Sequence, residues 1–175
     1  LYEQVLSDAN EYGIMCDFHG CTLPRGWERM YPNYIGSEAV SASENLKFNQ
    51  HFDDVEAYNA SLHPFIRNAV GSMEFGGTIL NKRLNRNNDG GTIRRTGDAF
   101  QLATAVLFQN PVQMFGLTPN NLQDAPAEAM DFMRAVPTTW EDTKFIDGYP
   151  GKYIILARRN NGLWYVAAIN NTGAD

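Results

Sequence analysis

The chain has 175 residues, 43% of them apolar and 19% charged, and a formal net charge of −6; this is ordinary for a globular domain with a sizeable core. No more than two Lys or Arg residues are adjacent, so a nucleic-acid backbone is not an expected partner. No run approaches the roughly 18 consecutive apolar residues of a transmembrane helix, so no membrane span is expected.

Residues 1–11 place Leu1, Val5 and Leu6 on one side, as in an amphipathic helix, and Gly13 stops it. The short apolar run that follows, through Ile14, Met15 and Cys16 to Phe18, has the character of a strand buried on both faces, as parallel strands are. At Gly20 it opens into a long segment. The whole stretch 16–44, CDFHGCTLPRGWERMYPNYIGSEAVSASE, carries His19, Glu28, Glu38 and Glu44. A strand whose C-terminal end opens into a loop rich in carboxylates and aromatics is where a barrel enzyme keeps its active site. Trp27, Tyr31 and Tyr34 are candidates to stack on a substrate ring, and Arg25 and Arg29 to hold carboxylates ionised or bind substrate oxygens. Cys16 and Cys21 match neither a metal-binding nor a thioredoxin-like spacing and are expected to be reduced packing residues.

Residues 37–48 are predicted as a helix. Ser41-x-x-Glu44 has the form of a capping box, in which the glutamate merely satisfies a backbone N–H. Glu38 and Glu44, six positions apart, would lie about 120° apart in azimuth on a regular helix, so they share a cavity only across its N-terminal end or through an irregular turn. The polar run 49–61, NQHFDDVEAYNAS, is expected as a loop at the mouth of the site. Its His51, Asp53, Asp54 and Glu56 fit a solvated acidic loop better than a metal cluster.

Residues 62–72 are expected to carry the next buried strand on Phe65, Ile66, Ala69 and Val70. The polar, basic stretch 76–97 turns at Asn87-Asn88-Asp89 and Gly90-Gly91, and its Arg94-Arg95 pair is placed for ion pairing with the acidic segment or substrate. DAFQLATAVLFQ is a capped helix ending before Asn110-Pro111, with a short strand over 112–115 after it. AEAMDFMRAV is a further helix that ends at Pro137. Beyond it the pattern changes to extended segments. KYIILARR and LWYVAAIN are joined by Asn160-Asn161-Gly162, a strong hairpin signal. Strands joined by hairpins cannot belong to a parallel barrel, which places a domain boundary near Pro137.

The segment FHG, the pattern P-x-G-x-E-R-x-Y-P-N over 24–33 and the following Glu38 and Glu44 resemble glycoside hydrolase family 97, the calcium-dependent α-glucosidases and α-galactosidases. The resemblance continues through LHPFIRNAVGSM (62–73), DAFQLATAVLFQNPVQMF (98–115) and DFMRAVPTTWEDTKFIDGYPGKYIILAR (131–158), essentially the whole chain. It implies an α/β fold in which residues 1–136 are the C-terminal portion of a (β/α)8 TIM barrel and residues 137–175 the first strands of a C-terminal antiparallel β-domain. It also implies an O-glycosyl hydrolase, periplasmic or secreted, that cleaves terminal α-linked sugars with an oligosaccharide or α-glycoside as substrate. The remainder of the same enzyme, an N-terminal β-domain and the early barrel strands, would complete the metal and substrate sites, and the chain alone is expected to be inactive. Carried over position by position, Glu44 falls on the general acid/base, Glu38 on a Ca2+ ligand and His19 on a substrate-contacting histidine. Gly20 stands where inverting members carry a glutamate base, so the retaining pattern is implied, with an aspartate nucleophile upstream of Leu1. The alternatives are an inverting α-glucosidase of the same family and a non-catalytic carbohydrate-binding relative.

Overall fold

The computed structural model describes residues 1–173. Helix α1 (Tyr2–Glu11) buries Leu6 and leads into strand β1 (Cys16–Phe18), which pairs in parallel with β2 (Tyr34–Ser37). A parallel bridge from Ser37 to Met73 carries the pairing one segment further, and the Met73 N–H donates to the Gln109 carbonyl at 2.8 Å. Because these steps are parallel, the residues that follow them emerge at one edge. They are His19 after β1, Glu38 after β2 and Glu74 after the Met73 bridge.

Helices α2 (Gln50–Leu62), α3 (Asp98–Leu107), the single turn α4 (Asn121–Asp124) and α5 (Ala127–Ala135) follow. The chain then forms an antiparallel sheet of β3 (Asp142–Tyr149), β4 (Tyr153–Asn160) and β5 (Leu163–Asn170) in that order. Asn161 and Gly162 both adopt left-handed backbone angles, as the two-residue β4–β5 hairpin requires. The architecture is therefore α/β with a small three-stranded antiparallel sheet. One apolar cluster joins the two parts: Met73, Phe75, Leu107 and Phe108 pack with Ile154, Leu156 and Ile169 of the sheet. None of the helices among the described residues is long and apolar enough to cross a membrane.

Several sequence expectations are corrected. The predicted helix over 37–48 is instead the end of β2 followed by a short 3₁₀ helix, Ser43–Lys47. The supposed loop 49–61 is helix α2, capped by the Asn49 side chain, which accepts from the His51 N–H. Residues 62–72 form turns rather than a strand, with Ile66 and Val70 exposed, and no strand forms over 112–115. Trp27 and Tyr34 are not free to stack on a ligand. They are buried with Leu6, and Tyr2, Phe18 and Tyr31 pack against them, the Tyr2 and Trp27 rings stacking at 4.7 Å.

Two buried arginines hold the irregular backbone in place of ladders. Arg67 donates to the carbonyls of Ser37, Glu38, Gly71 and Ser72, and so ties the end of β2 to the turn before Met73. Arg94 does the same for the carbonyls of Leu80, Asn81 and Thr96 and pairs with Asp98 at the start of α3. Buried backbone oxygens outside regular structure need such donors, because leaving one unpaired costs about 1–3 kcal/mol. Arg95, by contrast, is exposed and pairs with Asp54 at 2.7 Å.

Candidate active site

His19, Glu38 and Glu44 converge on one open cleft of about 460 Å3, lined also by Gly20, Cys21 and Val40. A ligand atom from each of the three lies within 4.8 Å of the others. Glu38 and Glu44 meet through the irregular route: β2 ends at Ser37, Ala39 takes a left-handed backbone angle, and the 3₁₀ helix starts one residue before Glu44. The capping box does not form. The N-cap of that helix is Ala42 and no side chain caps it, so Glu44 is left facing the cleft.

Gly20 has a left-handed backbone angle that favours glycine, and in that conformation its N–H donates to Glu38 Oε2 at 2.7 Å. Glu38 is almost fully buried, and burial, followed by the adjacent Glu44 carboxyl, pushes its pKa up to about 7. An oxygen of each of these two carboxyl groups lies within 4.8 Å of the other. Retaining glycosidases keep the acid and the nucleophile about 5–5.5 Å apart across the scissile bond, so a pair this close is placed to share a proton or a cation rather than to straddle a sugar.

A fourth residue was not foreseen. Glu74, 3% exposed, lies behind His19 and accepts a hydrogen bond from its Nδ1 at 2.9 Å, while Nε2 of the same ring stands 3.3 Å from Glu44 Oε1. The bond to Glu74 is the largest influence on His19 and raises its pKa; burial raises that of Glu74. The sequence around it, Gly71-Ser72-Met73-Glu74-Phe75-Gly76, has no apolar run or spacing that would have singled it out.

Asp17, two residues before His19, does not line the cleft; Asn110 donates to its Oδ2 at 2.9 Å, and burial raises its pKa. The acidic residues of α2 take no part in this site. Asp54 pairs with Arg95, and Glu56 is buried, accepting from Thr96 at 2.7 Å and Gln101 at 2.6 Å. Both cysteines are free.

Comparison with known proteins gives two family matches, "Glycoside hydrolase 97" over residues 1–40 and "Glycosyl-hydrolase 97 C-terminal, oligomerisation" over residues 139–175. A retaining alpha-galactosidase of Bacteroides thetaiotaomicron is 32% identical over 172 residues, covering 94% of this chain and 25% of that protein. The crystal structure of a beta-arabinopyranosidase superposes with a TM-score of 0.93 at 73% identity, covering 97% of this chain and 27% of that one. A Glycoside Hydrolase Family 97 enzyme in complex with acarbose, from Pseudoalteromonas sp. strain K8, superposes with a TM-score of 0.78 at 28% identity, covering 99% of this chain and 27% of that one. The chain thus spans about a quarter of the length of the relatives it matches.

Proposed function

This chain belongs to glycoside hydrolase family 97, and on that premise we propose that it forms the acid/base side of a retaining glycosidase acting on terminal sugars of α-galactoside shape. The observation that carries this reading is the convergence of Glu38, Glu44 and His19 on one open cleft at the end of parallel strands. The parallel pair β1–β2 and the bridge to Met73 would be steps of a (β/α)8 barrel completed by the remainder of the enzyme.

Within that class we favour a β-arabinopyranoside as the sugar cleaved. β-L-Arabinopyranose is α-D-galactopyranose without its hydroxymethyl group, with the same ring hydroxyls and anomeric geometry, so a pocket for one sugar differs from a pocket for the other mainly in the space left at C5. The beta-arabinopyranosidase is far more similar to this chain than the alpha-galactosidase is, at 73% against 32% identity.

Glu44 would protonate the glycosidic oxygen as the bond to the anomeric carbon breaks, a carboxylate from the remainder of the enzyme attacking that carbon. It would then take a proton from the water that releases the sugar. His19, half exposed at the rim, would contact sugar hydroxyls. Calcium fits the donor set, since Glu38 brings a buried carboxyl with an oxygen of Glu44 within 4.8 Å, and hard oxygen ligands suit this cation. Glu38 would hold it, with Glu44 beside it, and the ion when bound would supply a fixed positive charge to the crowded carboxylates. Periplasmic or secreted localisation belongs to the same proposal, to be checked by fractionating cells that express the full-length protein. An inverting mechanism is disfavoured by Gly20.

The test is substrate and stereochemistry in the full-length enzyme. An aryl β-L-arabinopyranoside should be cleaved with kcat/KM at least about tenfold above the aryl α-D-galactopyranoside, the gap that one poorly fitted group produces. NMR of the first product should find the anomeric configuration kept. Preference for an α-glucoside with inversion overturns the proposal, and binding of sugar without turnover points to a non-catalytic relative instead.

A further inference from the structure

We propose that Glu74 is a positioning residue that sets the orientation of Glu44 by way of the His19 ring. The inference rests on the acid/base reading of Glu44 and adds to it a residue outside the cleft. Three chain segments meet here in a line. Glu74 comes from the extended segment after the Ser37–Met73 bridge, His19 from the end of β1, and Glu44 from the 3₁₀ helix.

The geometry allows the ring little choice. With Nδ1 donating to Glu74 Oε2 at 2.9 Å, Nε2 points at Glu44 Oε1, 3.3 Å away. The His19 side chain is 54% exposed, so packing alone does not fix its rotation; the buried acceptor behind it does. Glu74 is itself held rigid. Its N–H donates to the Ser37 carbonyl at 3.1 Å, and the next two carbonyls, those of Phe75 and Gly76, accept from Ser43, the residue beside Glu44. The segment that holds the ring and the segment that carries the acid are therefore fastened to each other. An acid/base displaced by about 1 Å loses on the order of a hundredfold in rate, so a support of this kind has a measurable consequence.

The test uses the full-length enzyme, a sugar substrate with a poor leaving group and an activated dinitrophenyl glycoside. Glu74→Ala should lower kcat on the poor leaving group by about 10- to 100-fold with KM changed less than about threefold, and lower it much less on the activated glycoside, which needs little protonation. Glu74→Gln, which keeps an acceptor for Nδ1–H, should recover most of the rate. In a Glu44→Gln background, Glu74→Ala should cost less than about twofold, because the group it positions is gone. His19→Asn, which breaks the line at an exposed residue, should reproduce the leaving-group split even where Glu74→Ala fails to fold. Equal losses on both substrates, an undiminished loss in the Glu44→Gln background, or no split for His19→Asn would overturn the proposal. If instead Glu44→Gln itself turns over the poor leaving group at near the parent rate, the acid/base reading fails, a result separate from the fate of Glu74.

Discussion

The glutamate-lined rim and the three-stranded sheet solve the same folding problem by opposite means. In the sheet, β4 lies between two antiparallel neighbours, so its backbone groups pair in ladders while Ile154 and Leu156 face the core and a two-residue turn sets the register. At the rim the strands are three and four residues long and the chain between them is irregular, so side chains satisfy the backbone: buried Arg67 and Ser43 and half-buried Asn68 all donate to main-chain oxygens. The sheet is robust because its stability is spread over many equivalent bonds. The rim concentrates it in a few groups, and the same groups fix where Glu38, Glu44 and Glu74 point.

If that division is right, chemistry and stability should separate in the sheet and travel together at the rim. The largest effect is expected at Glu44, whose change to Gln in the full-length enzyme should slow natural substrates by about 10²- to 10⁴-fold. Its melting temperature should stay near the parent value, since Glu44 caps nothing. Kinetics beside a thermal melt checks both halves, and near-parent turnover would remove Glu44 from the mechanism.

Next come Arg67→Met and Ile154→Ala. Losing the guanidinium leaves the Glu38 and Ser72 carbonyls without their donor, while those of Ser37 and Gly71 keep the Glu74 N–H and the Asn68 side chain; it also frees Glu38, so it should cost about 3–5 kcal/mol and reduce kcat in whatever protein still folds. Ile154→Ala opens a cavity in the cluster under the sheet, a cost of about 2–5 kcal/mol, and should leave kcat unchanged at temperatures where the enzyme is folded. Denaturant melts paired with kcat measurements would decide it; an Ile154→Ala enzyme that loses kcat as Arg67→Met does would erase the distinction.

A smaller effect concerns pH. His63 is buried between the rings of Phe75 and Phe108 and bonds the Ser41 carbonyl, and burial pushes its pKa down to about 4. The unfolded chain takes up a proton near the ordinary value of about 6.5 that the folded chain refuses. His63 therefore costs nothing above that pH, and stability is lost as pH falls from about 6.5 to about 4, by up to about 3 kcal/mol. His63→Phe should lose the Ser41 bond yet flatten this slope relative to the parent. Parallel slopes in melts from pH 7 to 4 would mean that His63 is not the group responsible.

The same contrast explains what could be read in advance. Helices α1, α3 and α5 and the β4–β5 hairpin follow from apolar periodicity and Asn161-Gly162, although no side chain caps these helices, the expected cap of α3 included, and α1 buries only Leu6 of its stripe while Leu1 and Val5 are exposed. Helix α2 was hidden because its inward stripe is Asp53, Glu56 and Ala60, helical in spacing but acidic in type, so it looked like a solvated loop. Residues 62–72 looked like a strand because Ile66 and Val70 are apolar, yet both are exposed, and Arg67 and Asn68 supply the bonds that turn the chain. At the site, His19, Glu38 and Glu44 were picked out on their motif. Glu74 was passed over, because what brings it to the rim is a single-residue bridge at Met73, too short to leave a periodic trace.

The smallest effect is expected at Asp53, which tests whether every buried polar group near the rim is a support. Arg67 uses its donors, but neither carboxylate oxygen of Asp53 accepts a well-formed hydrogen bond: the Thr92 hydroxyl beside it donates to the Leu46 carbonyl. Burial pushes the Asp53 pKa up to about 6, above the unfolded value and against the Thr92 hydroxyl, which lowers it somewhat, so the folded chain holds this proton more tightly than the unfolded one. The contribution to stability is favourable in acid and is lost as pH rises through about 6, leaving an uncompensated charge in the core at neutral pH. Asp53→Asn removes that charge while keeping the shape, and should stabilise the protein by about 1–2 kcal/mol at pH 7.5, the gain shrinking as pH falls below about 6. Thermal melts at the two pH values check it directly. A substitution that destabilises equally at both would mean that Asp53, like Arg67, holds the fold through a bond its charge provides, and the acidic stripe of α2 would then belong with the supports of the rim.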